Sequence, residues 1–126
     1  MPTYRYSASH QWASTEPDGM VAVGITDFAQ EALGDVMFVE FPAIGRTVAK
    51  DQACAVVESV KSASDVMAPV SGVVTAVNSA LANTPEQLNQ RPYEAWLFKL
   101  KIADAKELDD LLDAQRYQTL TDEQAS

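Results

Sequence analysis

The sequence predicts a mainly β fold: a sandwich or flattened barrel with short helices and one better helix near the C-terminus. Three observations lead there. Apolar residues gather in several short, strand-like runs. Turn-forming residues stand between those runs. Helical patterns are brief, except close to the end of the chain. The 126 residues suit one domain, 1–126, with a single modest core.

Val21, Val23 and Ile25 alternate with Ala22 and Gly24, the pattern of a half-buried strand. Thr26 or Asp27 can cap a brief helix over 28–33, and Gly34 is a natural stop. Residues 36–41 form a second strand candidate, ended by Pro42. Residues 53–59 and 72–77 give a third and a fourth. Trp96, Phe98, Leu100 and Ile102 alternate with Leu97, Lys99 and Lys101, a fifth strand with one wet face. Thr84-Pro85-Glu86-Gln87 resembles a capping box with proline at the first helical position. Asp104 can cap the last helix, on which Leu108, Leu111 and Leu112 share a face. The polar tail 121–126 is expected to fray. A faint internal echo links Gly45-Arg46-Thr47-Val48 with Ser71-Gly72-Val73-Val74. It places Lys61 near a tip between two hairpin arms.

Nine basic against eighteen acidic residues give a net charge of -9. Such a surface repels nucleic-acid phosphates and anionic lipids, suits basic protein partners and keeps a small protein monomeric. Simple solvation explains the same charge. The only cysteine, Cys54, lies in an apolar run and reads as a small buried hydrophobe. There is no secretory signal, no basic leader and no apolar run near the ~20 residues of a membrane span. A bacterial cytoplasmic protein is the expectation.

Enzyme signatures are missing. The single histidine, His10, is far in sequence from Cys54, and there is no nucleophile elbow, phosphate loop or metal-ligand spacing. The informative stretch is Glu58-Ser59-Val60-Lys61-Ser62-Ala63-Ser64-Asp65. Small residues flank a lysine and leave room for another protein to grip it. An exposed lysine amine is a cation and a poor nucleophile at neutral pH, so acylation requires a modifying enzyme. Acylation would replace the charge with a flexible tether. On the residues alone, an ordinary surface lysine in a turn is the better account.

That stretch strongly resembles the lipoyl-lysine motif of glycine cleavage H proteins. Other segments follow in the family's order: Ser9-His10-Gln11-Trp12, the run 23–30, Leu33-Gly34-Asp35-Val36, Val39-Glu40-Phe41-Pro42, Ala68-Pro69-Val70-Ser71-Gly72, Asn89, Pro92-Tyr93, Trp96-Leu97 and Tyr117. The resemblance covers nearly the whole chain and implies the lipoyl/biotinyl-type hammerhead fold. Biotin carriers with this fold place methionine on both sides of the lysine, whereas Val60 and Ser62 stand here.

The resemblance implies lipoate joined as an amide to Lys61, on a carrier rather than an enzyme. It implies four kinds of partner: a pyridoxal-phosphate glycine decarboxylase, a tetrahydrofolate-dependent aminomethyltransferase, dihydrolipoamide dehydrogenase and lipoate-attaching enzymes. The carrier would shuttle an aminomethyl group between the first two and electrons to the third. Asp65, Ser9 and Gln11 are candidates to stabilise the loaded arm's amine. Ser59 and Ser64 are among the small residues that leave another protein room to grip the lysine, and Glu58 is a candidate to guide partners by its charge. Gln11 departs from the glutamate usual in the family, and a residue that merely points to solvent is the competing account. His10 and Trp12 read as packing. Alternatives to the shuttle are a relay donating lipoyl groups to other lipoyl domains, and an unmodified paralogue.

Overall fold

A computed structural model describes residues 4–125. The strands, in chain order, are β1 (Tyr4–Tyr6), β2 (Gln11–Glu16), β3 (Met20–Ile25), β4 (Val36–Glu40), β5 (Thr47–Val48), β6 (Ala53–Ser59), β7 (Ala63–Met67), β8 (Gly72–Val77) and β9 (Phe98–Ile102). The α-helices are α1 (Asp27–Leu33), α2 (Gln87–Gln90), α3 (Lys106–Asp109) and α4 (Ala114–Ala125). The described strands form a six-stranded sheet in the order β1-β2-β3-β9-β8-β5 and a three-stranded sheet in the order β4-β6-β7. Every strand pairing is antiparallel, and the described strands close no barrel. Among the described residues, no helix is long and apolar enough to cross a membrane.

The two sheets share one apolar core. Val21, Val23, Val74, Phe98 and Leu100 of the larger sheet and Val57 and Val66 of the smaller one are fully buried in a single cluster. Burial of each such side chain contributes roughly 1.5–3 kcal/mol. All five strands expected from the apolar runs are present. Strand β3 departs from expectation because Ala22 and Gly24 are buried as well as Val21, Val23 and Ile25. The reason is Trp12, paired with Gly24 across β2 and β3. The indole covers that face and donates from Nε1 to the carbonyl of Pro92 at 2.8 Å. A Cβ at residue 24 would lie 2.5 Å from Trp12 ring carbons.

The two echoing segments pair with each other, Thr47 with Val73 and Val48 with Gly72. Cys54 is buried, as its apolar run suggested, and burial pushes its thiol up to about 11.

Two helical expectations need correction. Thr84 does not cap α2. Its hydroxyl and amide both donate to the carbonyl of Ala80, closing the preceding 3-10 turn, and α2 starts at Gln87 without a side-chain cap. The C-terminal helix is two helices. Leu112 exchanges both backbone hydrogen bonds with Tyr6 at 2.8 and 2.9 Å, so its backbone extends β1 instead of continuing α3. The chain restarts at Asp113, whose carboxylate accepts from the amide of Arg116. The polar tail continues α4 as far as Ala125, and Thr121 is buried. Ser126 lies outside the described residues.

Helix α4 is fastened through Tyr117. Its hydroxyl lies 2.6 Å from Thr26 Oγ1 and 2.7 Å from His10 Nδ1, and its ring stacks on Tyr6. Burial pushes the Tyr117 phenol up to about 12 against the opposing hydrogen bond from Thr26. Burial also holds His10 below its ordinary value, partly offset by a hydrogen bond to Gln124. His10 stacks on Phe28 and has φ 73, in the left-handed region that few non-glycine residues adopt.

Two outcomes are expected. Gly24→Ala forces the anchored indole or the β2–β3 pairing to shift and costs about 1–3 kcal/mol. Urea unfolding should show a lower midpoint with an unchanged slope, and an unchanged midpoint would refute the close approach. For His10, folding favours the neutral ring. Above pH ~6.5 the ring is neutral in both states and its contribution is complete. As pH falls from there through the lower folded-state value, the unfolded chain takes up the proton first and stability is lost. Between pH 7 and 5 the melting temperature of the wild type should fall more steeply than that of His10→Asn, which tolerates the same backbone. Parallel curves would refute it.

Candidate functional site

Strands β6 and β7 form a hairpin, and Lys61 occupies its turn. Ser59 builds that turn. Its Oγ accepts from the amides of Lys61 and Ser62, both at 3.2 Å, and donates to the Ser62 carbonyl, while its amide donates to the same carbonyl at 2.8 Å. One small side chain thus satisfies most of the turn's polar groups and leaves the lysine side chain free to project. The amide of Val60 donates to the Asp35 carbonyl at 3.1 Å, pinning the tip to the strand beside it.

The neighbouring surface comes from the end of α1. Thr26 caps this helix, with its Oγ1 accepting from Ala29 N, and Gly34 ends it with φ 77. The Lys61 side chain lies along Gly34, where a Cβ would come within 3.3 Å of Lys61 Cε. Glycine is required here for its φ, while the exposed lysine stem can give the few tenths of an ångström that a Cβ would need. Asn89 holds Gly34 in place. Its Nδ2 donates to the Gly34 carbonyl and to Gln30 Oε1, and its Oδ1 accepts from Val36 N. Within the resemblance Asn89 is only one matching letter. Nothing in the short polar run around it signals this role.

Between the hairpin and α1 opens a cleft of ≈ 310 Å³. Ile25, Phe28, Leu33, Val57 and Val66 give it an apolar floor, and Ser9, Gln11, Ser62, Ser64 and Asp65 give it a polar margin. Four expected site residues, Ser9, Gln11, Ser64 and Asp65, thus meet in one place. Asp65 is the only carboxylate among the lining residues, and no lysine or arginine lines the cleft. Glu58 is not part of the lining. It pairs across the strands with Phe38 and Ala63.

Gln11 does not point to solvent, for it is only 3% exposed. Its Oε1 accepts from the hydroxyls of Ser7 and Ser9, and its Nε2 donates to the Ser9 carbonyl. That last contact explains why an amide suits the position, since a carboxylate oxygen there would meet a carbonyl oxygen. His10 and Trp12 are packing residues as expected, though His10 also reaches the cleft. Among the described residues, no three His, Cys, Asp or Glu side chains group to hold a metal.

An apolar cleft with a polar margin, beside an exposed lysine on a tight turn, suits a long acyl chain ending in a small polar group. Comparisons with known proteins agree on one family. The family model described as glycine cleavage H-protein matches residues 4–124. The glycine cleavage system H protein of Methylococcus capsulatus is 56% identical over 119 residues, spanning 94% of each chain. Glycine cleavage system H protein 2 of Pseudomonas aeruginosa is 57% identical over 118 residues, spanning 94% of this chain and 92% of its own. A crystal structure of a glycine cleavage system H protein from Mycobacterium marinum superposes with a TM-score of 0.86 at 38% identity, covering 94% of this chain and 96% of that one. With its fold and sequence matched over nearly its whole length, the chain belongs to the glycine cleavage H-protein family, a lipoyl-carrier component of that system and not an enzyme.

Proposed function

We propose that Lys61 bears the lipoyl group. On this reading the chain, as one carrier domain in the bacterial cytoplasm, takes aminomethyl groups from glycine decarboxylase to aminomethyltransferase and electrons to dihydrolipoamide dehydrogenase. The observation that carries this reading is the placement of Lys61. It is exposed on a turn organised by Ser59, directly beside the only cleft that gathers Ser9, Gln11, Ser64 and Asp65 among the described residues. The residues fit the group. The apolar floor suits an alkyl chain, and the polar margin suits a charged or hydrogen-bonding end.

When attached, the dithiolane supplies the redox and group-carrying chemistry. The protein's own residues do the rest. Ser59 presents the amine by fixing the turn. Gly34, at the end of α1, lets the lysine stem lie against the backbone beside the cleft. Ile25, Phe28, Leu33, Val57 and Val66 exclude water from a docked chain. Asp65 offers a negative charge to an ammonium at the cleft margin, and Ser9 and Ser64 offer hydroxyls.

The neutral Gln11 amide favours the second reading, a relay that donates lipoyl groups to other lipoyl domains. A relay does not need to shield a charged amine. The two readings share Lys61 and differ in what the cleft must protect.

Expression with lipoate and a competent ligase should add one lipoyl mass to the intact protein, and Lys61→Arg should lose it. A wild type without the increase would overturn the assignment. For the loaded protein, Gln11→Glu is expected to slow release of formaldehyde and ammonia, because a carboxylate near the amine adds charge that the amide lacks. Equal rates would overturn this role for position 11.

A further inference from the structure

Strand β4 exposes two successive apolar side chains, and a regular strand would not. Val36 and Val39, three residues apart, are both buried, while Met37 is 62% and Phe38 is 56% exposed between them. The cause is a bulge. Val36 pairs with Ser59 and Phe38 with Glu58, so Met37 is the extra residue and both side chains turn outward. Val60, 62% exposed, follows Ser59 directly and is tied to Asp35 through its amide. Met37, Phe38 and Val60 therefore form an apolar patch at the root of Lys61. Large exposed apolar groups collected in one place mark an interaction surface.

The rim has one sign. Asp35 and Glu40 are exposed at the two ends of β4, and Glu58 stands across from Phe38. Apart from Lys61, no basic residue lies in β4, β6, β7 or the hairpin turn. A second copy of this chain would set carboxylates against carboxylates, so the occupant is a basic partner. Its identity follows from reach. An enzyme acting at the end of a long arm can stand away from the turn. An enzyme that acylates Lys61 must draw a side chain of four methylenes into its own active site, and has to touch the surface at the lysine's root.

We propose that the bulged β4 edge, Met37 and Phe38 with Val60, is the docking surface for the lipoate-attaching enzyme, which meets it with an apolar socket rimmed by arginine or lysine. This rests on Lys61 being the acylated residue. In the step served, the neutral Lys61 amine attacks the acyl carbon of a lipoyl adenylate. The amide C–N bond forms as the acyl–phosphate bond breaks, AMP leaves, and the amine proton passes to a base or to solvent.

The test is steady-state lipoylation of the intact chain by a lipoate ligase with ATP and lipoate, followed by intact mass. Met37→Ser with Phe38→Ser should raise KM for the carrier about tenfold, with kcat changed far less, as expected for loss of a central apolar anchor. Ile44→Ser, at a residue 64% exposed in the loop after β4, is the control for general surface polarity and should leave KM unchanged. Thermal unfolding of each variant verifies that the fold persists. An unchanged KM in the double variant, or an equal rise in the control, would overturn the proposal. A wild-type dimer that the double variant dissolves would overturn it in favour of self-association. If the wild type itself is never acylated, the assignment of Lys61 fails first. If it is acylated and the double variant is indifferent, only the docking surface fails.

Discussion

The carboxamide of Asn89 is the constraint on which the carrier site depends. Its two N–H groups and its oxygen bond to three points that are apart in sequence: Gln30 inside α1, Gly34 at the helix end, and Val36 at the start of β4. Each partner would otherwise be a polar group needing another bond. Gly34 is thereby held at a backbone conformation it does not share with most residues, and Lys61 lies along it. The same clamp fixes the start of β4, where Asp35 receives the amide of Val60. A neutral amide can do this because it donates and accepts at once. A carboxylate could not donate, and an aliphatic side chain could do neither.

Around that clamp the molecule divides its labour. The six-stranded sheet supplies half of the largest fully buried side chains, and α4 closes against it through Tyr117. The smaller sheet holds Lys61, the proposed attachment residue, in the turn at its tip. Its inner side joins the core through Val57 and Val66, and its free end is governed by local hydrogen bonds around Ser59. The turn is thus rigid in its backbone and open in its lysine side chain, a useful combination for a residue handled by other proteins. The cleft is preorganised in the same way. Gln11 is locked by both neighbouring serines, so the polar margin exists before anything enters.

Most of the fold was legible because its strands are apolar runs. Strands β3, β4, β6, β8 and β9 all advertise themselves by residue type. Strand β7, by contrast, reads Ala-Ser-Asp-Val-Met and owes its strand state to pairing with β6. Strand β1 likewise depends on β2 and on Leu112. That pairing also broke the predicted C-terminal helix, since a backbone committed to Tyr6 cannot be helical. Thr84 misled for a similar reason: its hydroxyl had a nearer carbonyl in Ala80. Lys61 and the serines around it were legible as a motif, and Ser9, Gln11, Ser64 and Asp65 do share one cleft. Asn89 and the outward turn of Met37 were not. One depends on partners distant in sequence and the other on a one-residue register shift.

The burial of Cys54 bears on redox hygiene. On the proposed function this chain carries a cyclic disulfide on a flexible leash, at high local concentration around its own surface. Disulfides are attacked by thiolates, and a carrier exposing a reactive thiolate would cross-link its cargo to itself. The single cysteine is shielded inside β6, with its thiol pushed up to about 11. At neutral pH only about one in ten thousand such thiols is ionised. The leash therefore finds no sulfur nucleophile at home and stays available for exchange with other proteins.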